Sequence, residues 1–290
     1  MEKPEKKEEI IYNSIPKQVS RQDFNRYILA HLKTRNKGPK PKLSFYKIFN
    51  YILYVLHTGI QWQQLRTRRN ELHWSNVYKW HNRWSKDGSY QQLFEAAIVH
   101  LKDTSQLDTT VLHGDGSNTV AKKGGASLGY SGHKHQKGDK EITLVDNNGF
   151  VIAPLEVRAV NVTDIEILPD AIAEMVKFTN RVGINTEHSK LTLDSGFDSK
   201  TNKNLIQENQ MKPVIYPNRR NTKKPIAIAR LFRWFDRATY QLRYIVERTF
   251  AWGDVYRKLA VSYDRLEQIR LGCRHLAYSM INFRVTFNQS

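Results

Sequence analysis

Cysteine, acid and long apolar runs are all scarce in this chain, and each shortage excludes something. A single cysteine, Cys273, among 290 residues rules out an internal disulfide and leaves no cysteine-built zinc site. The longest largely apolar run, Phe49 to Leu56, falls far short of the ~20 residues that span a bilayer. Met1 to Glu9 is densely charged, unlike the opening of a secretory leader, and a cytoplasmic protein is expected. Acids number 28 against 46 lysines and arginines, a formal net charge of +18. That surplus attracts polyanions, nucleic acid ahead of an anionic membrane surface. The length allows two domains and a substantial core.

Residues 1–18 are charged and poor in large apolar groups. Burial cannot offset the cost of ordering them, so a disordered tail is expected. A short helix follows from Ser20 to Leu32, then a basic segment, Thr34 to Lys42, with Gly38, Pro39 and Pro41. That segment reads either as a linker or as an arm along DNA phosphates. Phe45, Ile48, Phe49, Ile52 and Leu56 have helical spacing over Leu43 to His57, and Gly59 breaks the helix. Ile60 to Leu65 reads as a short helix, and Ser75 as the N-cap of another reaching about Ser85. On that last helix Val77, His81 and Trp84 form an apolar face, while Asn76, Lys79, Arg83 and Lys86 form a basic stripe. The pattern is helix-turn-helix-like, with Lys79 and Arg83 as candidate DNA contacts. Trp62, Trp74, Trp80 and Trp84 suit core packing better than base stacking. With a further helix from Tyr90 to Leu101, residues 19–106 read as an all-α DNA-binding domain and residues 107–290 as a second domain.

The second half changes character. Thr109 to Gly114 is a β-branched, apolar strand leading to Asp115. Residues 121–140, which include Lys122 and Lys123, are rich in Gly, Lys and His with no clear period. Two strand-like runs, Glu141 to Asp146 and Phe150 to Val160, flank Asn147-Asn148-Gly149, a strong hairpin signal. A helix is expected from Pro169 to Phe178, with proline in its first turn. Then come a strand Lys190 to Leu193 ending at Asp194, a helix Ser199 to Asn209, and a strand Lys212 to Tyr216. A basic loop with Arg219 and Arg220 leads to helices carrying Tyr240 to Phe250, and a last helix runs from about Leu266 to Phe283. Three strands, helix, strand, helix, strand, helix is the order of an RNase H-like mixed sheet.

Asp115, Asp194 and Glu247 occupy the positions that converge at one end of such a sheet. Separated carboxylates of this kind hold two Mg²⁺ ions about 3.5–4 Å apart for in-line attack on a phosphodiester. Oxygen ligands suit Mg²⁺, with Mn²⁺ as a substitute, rather than zinc. Taken singly, Asp115 is also a plausible turn residue, Asp194 a strand-end cap and Glu247 a surface glutamate. Asp108, Asp139, Asp146 and Asp198 are set aside on position. Tyr240-x2-Arg243-x3-Glu247 puts three side chains on one helical face. Arg243 either clamps a phosphate or pairs with Glu247, and Tyr240 stacks on a base or bonds a phosphate oxygen. His113, His133 and His135 read as DNA-facing or solvated, not as zinc ligands.

Four segments resemble the bacterial insertion-sequence transposases of the DDE type, in the insertion-sequence four/five superfamily. They are Tyr54 to Trp62, Gly129 to Gly149, Leu193-Asp-Ser-Gly-Phe-Asp-Ser199, and Tyr240-x2-Arg243-x3-Glu247-Arg-Thr-Phe-Ala-Trp252. The last matches the family's Y-x2-R-x3-E core. The resemblance implies Asp115, Asp194 and Glu247 as metal-binding triad, Mg²⁺-dependent cleavage at terminal inverted repeats and strand transfer into target DNA. It also implies a homodimer on paired ends, associated with the nucleoid when bound. One departure stands out: the family's lysine seven residues after the glutamate is Asp254 here, with Arg257 and Lys258 as candidate replacements. Two further readings stay open, a transposase-derived DNA-binding protein that does not cut and a structure-specific nuclease on the same fold.

Overall fold

The computed structural model describes residues 15–34, 41–132, 134–219 and 224–287. Residues 1–14 of the expected tail, residues 35–40 of the basic segment, His133 and Arg220 lie outside the described residues.

The helical region opens with α1 (Arg21–Asp23), capped by the Ser20 hydroxyl, which accepts from the Asp23 amide. It runs on through a π turn and a 3-10 turn to His31. Helix α2 (Phe45–Thr58) buries Ile48, Phe49, Ile52, Leu53, Val55 and Leu56. It ends at Gly59, whose φ of 71° is left-handed and open to glycine at no steric cost. A Cβ there would also lie 2.8 Å from the Arg257 Cβ. Helix α3 spans Trp74–Lys86 and α4 spans Ser89–Asp103. The N-cap of α3 is His73, not Ser75: its imidazole accepts from the Ser75 amide. The helix expected over Ile60 to Leu65 is only a 3-10 turn, Trp62–Gln64. The connection from Gly59 to His73 is thus longer than a helix-turn-helix turn. Glu71 pins it by accepting from Lys47 Nζ at 2.7 Å and the Tyr51 hydroxyl at 2.6 Å. Trp84 is fully buried, and Trp62, Trp74 and Trp80 pack against the core, as the sequence suggested.

The sheet contains β1 (Val111–Ala121), β2 (Gly129–Ser131), β3 (Gln136–Val145), β4 (Glu156–Ala159), β5 (Lys190–Leu193), β6 (Lys212–Ile215) and β7 (Val261–Ser262). Its main path is β2-β3-β1-β5-β6, with β4 also on β3 and β7 on β1. Strands β1, β3 and β4 pair antiparallel, and β5 and β6 continue from β1 in parallel. The order β4-β3-β1-β5-β6 with these senses is the RNase H-like sheet. Helices α5 (Asp164–Val182) and α6 (Lys200–Glu208) are the crossovers. Parallel neighbours need such connections.

Several expected boundaries move. β1 extends past Asp115 to Ala121, because Ser117 pairs with Glu141 and Thr119 with Asp139 on β3. β3 begins at Gln136, inside the stretch that showed no period. The return run is interrupted after an isolated bridge, Val145 to Val151, and resumes only at Glu156; Pro154 between them has no amide hydrogen to give a ladder. Helix α5 starts at Asp164, so Pro169 lies inside it. There Thr163 Oγ1 and Glu166 Oε1 sit 3.0 Å apart at the N-terminus.

One face of the sheet packs Leu112, Leu144, Leu191 and Leu193 against Ile167, Ile172, Met175 and Ile206 of α5 and α6. The chain then forms α7 (Pro225–Phe232), α8 (Arg237–Gln241), α9 (Tyr244–Asp254), α10 (Arg257–Ala260) and α11 (Glu267–Phe287). Helix α11 is buried along most of its length and shares one core with α2, α3 and α4. No helix among the described residues is long and apolar enough to cross a membrane.

Candidate active site

Register places the first two acids. His113 of β1 pairs with Thr192 of β5, and their side chains meet, Nδ1 to Oγ1, at 2.7 Å. Side chains alternate along a strand, so the second residue beyond each points to the same face. Those residues are Asp115 and Asp194, on neighbouring strand lines about 4.8 Å apart. Asp194 is still extended (φ −75°, ψ 176°), and its Oδ1 caps the next turn by accepting from the Gly196 amide at 2.7 Å. On the opposite face a Cβ at Gly114 would stand 2.6 Å from Leu193 Cδ2 and 2.8 Å from Leu144 Cδ2. Glycine therefore lets β1 sit close enough to carry Asp115 beside Asp194.

Arginine joins the third acid to this pair. Arg243 donates from Nη2 to Asp115 and from Nη1 to Glu247 Oε1, the latter at 2.8 Å. The Arg243 and Asp115 side chains are 14% and 20% exposed, whereas Glu247 is 60% exposed. The ion pair with Glu247 thus exists, but the stronger contact crosses to β1. Burial pushes the Asp115 carboxyl up; the Arg243 charge and the Gly116 amide pull it back, and the Asp194 charge raises it again. Burial works against the Arg243 charge, yet Asp115 above all, with Tyr240, Asp194 and Glu247, holds it above its ordinary value. Among the described residues no three acid, histidine or cysteine side chains already form a cage for a cation. What the site offers is two adjacent carboxylates, with a third on a helix one guanidinium away. That all-oxygen set suits Mg²⁺ or Mn²⁺.

Tyr240, Arg243 and Glu247 do not share one helix. Tyr240 lies on α8 and Glu247 in the first turn of α9, with Arg243 as the α9 N-cap. The Tyr240 ring packs 5.2 Å from both Tyr216 and Phe235. Burial raises its hydroxyl pKa, with the Asp194 and Asp115 charges adding to the rise, so the ring lies within their field. A tie the sequence did not disclose fixes α8: Asp236 caps it and accepts from Lys190 Nζ of β5 at 2.7 Å. That bond and those from Thr239 bring the Asp236 carboxyl down to about 2.

The acids set aside have structural partners. Asp108 Oδ1 accepts from the Thr110 amide and hydroxyl. Asp146 accepts amides of Asp108, Asn148 and Phe150. Asp198 pairs with Lys203, and Asp139 is enclosed by Arg270 and Arg274. His113 is a correction: it is fully buried and bonded to Thr192 and Asn147, not DNA-facing. His135 is exposed. Lys258 does not replace the missing lysine either. It is buried on α10, 3.4 Å from Asp264, while Asp254 and Arg257 are exposed.

Among the remaining basic candidates, Arg219 reaches toward the acids: it donates to the Tyr216 hydroxyl at 3.1 Å, and the Tyr216 ring packs on Tyr240. Lys79 is exposed on α3, and the Arg83 guanidinium lies 5.1 Å from the Trp80 ring centre. Lys122 and Lys123 are exposed beyond the far end of β1. Arg219 is exposed and covers the Phe232 ring at 4.7 Å.

The sheet is RNase H-like in order, and Asp115 and Asp194 stand on adjacent strand lines of it. A model of the transposase DDE domain matches residues 102–280, and a model for the IS4/5 family, assigned by name to transposases, matches residues 23–94. The chain belongs to the DDE transposases of the IS4/5 type. No curated protein matches the sequence. Similar solved structures include the Mos1 transposase paired-end complex with left transposon end, at 8% identity and TM-score 0.28, covering 83% of this chain and 87% of that one. The Mos1 mariner paired-end complex with Mn aligns at 10% identity and TM-score 0.29, covering 91% and 85%. At that level of overlap it is the sheet order that defines the fold.

Proposed function

We propose that this transposase binds terminal inverted repeats as a homodimer on paired ends, cuts them in a Mg²⁺-dependent reaction and transfers the freed strand to target DNA. The observation that carries this reading is the placement of Asp115 beside Asp194, with Arg243 linking Asp115 to Glu247. Asp115, Asp194 and Glu247 are the residues that would hold the metal. When bound, divalent metal neutralises charge on the attacking and leaving oxygens. Arg243, released by Glu247 but still joined to Asp115 through Nη2, would turn its Nη1 edge to a DNA phosphate. Tyr240, wedged beside Tyr216 and Phe235, buttresses that arginine and borders the path of the strand. The test is cleavage of a labelled duplex carrying the DNA that flanks the gene, in Mg²⁺, Mn²⁺ or EDTA. Metal-dependent cuts at one repeat boundary support the reading. Tight, specific binding without a cut in either metal would instead support the non-cutting DNA-binding protein.

Arg243 lowers the Asp115 pKa, so its removal raises it. Arg243→Gln is expected to move the acid limb of the cleavage-rate profile to higher pH, because Asp115 then stays protonated further up the scale. An unmoved acid limb in the pH–rate profile would show that Asp115 ionisation does not govern the rate.

The basic stripe on α3, with Lys79 exposed and Arg83 half-buried, allows a separate test. Lys79→Ala/Arg83→Ala is expected to weaken binding to the terminal repeat more than to random DNA. If two phosphate contacts are lost, the log–log salt slope becomes shallower by about 2. Equal losses on both DNAs, measured by fluorescence anisotropy across a salt series, would assign the pair to backbone contact only.

A further inference from the structure

A cavity of about 410 Å³ opens where the helical region meets the end of β1 and the loop before α11. Its size falls in the roughly 300–1,000 Å³ range of small-ligand sites. It is not the carboxylate site: β1 carries the chain on from Asp115 to Ala121, and Lys123 of the cavity follows. At ~3.3 Å per strand residue the two lie roughly 20–25 Å apart. Nor is it the basic stripe of α3, because it uses Trp74 and Tyr78 from another side of that helix.

The lining is aromatic, with cations. Trp62, Trp74, Tyr78 and Tyr263 supply rings, and Lys123 and Lys258 supply positive charge. Lys258 is 4% exposed, sits 5.8 Å from the Trp62 ring centre, and has Asp264 as its 3.4 Å counter-ion. Tyr263 is 40% exposed at the mouth, though large and apolar.

We propose that this cavity takes one unpaired nucleobase of single-stranded or locally opened DNA, with the adjoining phosphate against Lys123. The inference rests on the DNA reading above and deepens it. The rings offer stacking faces, which are sequence-tolerant because every base has a π-face. The net positive rim, with Lys123 and Arg265 both exposed, matches phosphate. An apolar peptide side chain would bring no anion to Lys123 or Arg265.

The experiment uses the full chain in EDTA, with labelled oligo(dT) and a duplex of equal length as probes. Tyr263→Ala is expected to weaken oligo(dT) binding about tenfold and leave duplex binding within about twofold. Tyr263→Phe, which keeps the ring, should behave like the native chain. A single strand carrying 5-iodouracil should photocrosslink to Trp62, Trp74, Tyr78 or Tyr263, located by mass spectrometry. If Tyr263→Ala leaves oligo(dT) affinity unchanged, or the crosslinks fall elsewhere, the cavity is not a base site. Binding of duplex alone overturns this inference and spares the DNA reading. Binding of neither probe at low salt overturns both.

Discussion

The Asp194→Asn protein is expected to cut terminal DNA about 10³-fold more slowly than the native chain while binding it equally well. The size follows from the chemistry: charge stabilisation by metal is worth several kcal/mol, and each ~1.4 kcal/mol is tenfold in rate. Asparagine has the shape of aspartate, and its carbonyl oxygen can still accept from the Gly196 amide, so the turn after β5 keeps its cap. What is lost is the negative charge beside Asp115. That charge also raises the Asp115 carboxyl, so its loss favours Asp115 ionisation. The defect therefore cannot be attributed to Asp115 becoming protonated. Binding through α3 lies on other elements and should not change. Single-turnover cleavage of an end-labelled duplex, beside an anisotropy titration, separates the two. Metal-dependent cleavage at the native rate would remove Asp194 from the site, and parallel loss of binding would signal damage to the fold.

Much of this architecture could be read locally, and most of the failures share one cause. The strand Lys190–Leu193 matches expectation because Leu191 and Leu193 alternate with Lys190 and Thr192, and it is bounded by Asp194, whose side chain caps its own turn by accepting from the Gly196 amide. The Asn147-Asn148-Gly149 turn is likewise closed locally, with Asp146 Oδ1 accepting from the Asn148 and Phe150 amides. By contrast, Gly116 to Thr119 of β1 has no apolar alternation, and only its ladder with β3 makes it a strand. Its polar groups face residues more than 100 positions away, as when Arg274 Nη2 donates to Thr119 Oγ1 at 2.9 Å. The same holds at the site. Spacing correctly joins Arg243 to Glu247 but cannot disclose that Arg243 also reaches Asp115 on β1. The break between α8 and α9 was equally hidden, since Tyr240 to Glu247 contains neither proline nor glycine. One miss was avoidable. Thr163-Asp-Ile-Glu166 has the spacing of a capping box, a better sign of where α5 begins than Pro169.

Arg274→Met is expected to lower stability by about 3–5 kcal/mol, a large part of the roughly 5–15 kcal/mol that holds a domain folded. Arg274 is 2% exposed and fastens α11 to the sheet. It donates to Asp139 Oδ1 at 2.5 Å, and its Nε lies 2.7 Å from Glu141 Oε2, a charge contact without hydrogen-bond alignment. Arg270 donates to the other Asp139 oxygen at 2.8 Å, and the Tyr278 hydroxyl donates to Glu141. Two acids and two arginines therefore balance within a buried space. Burial alone would raise both carboxyls. Around Asp139 the arginines prevail and its pKa falls, whereas at Glu141 burial prevails and its pKa rises. Methionine fills the arginine's volume but leaves one negative charge uncompensated between β3 and α11, which is where the cost arises. Removing charge on both sides should cost less. Arg274→Met/Glu141→Leu is expected to recover more than half of the loss, a coupling that a double-mutant cycle of urea midpoints measures directly. Additive losses in that cycle would mean that Arg274 stabilises α11 by packing, with Glu141 as a bystander. A native midpoint for Arg274→Met alone would mean that the apolar contacts of α11 with α3 and α4 hold the two halves together without the charge network.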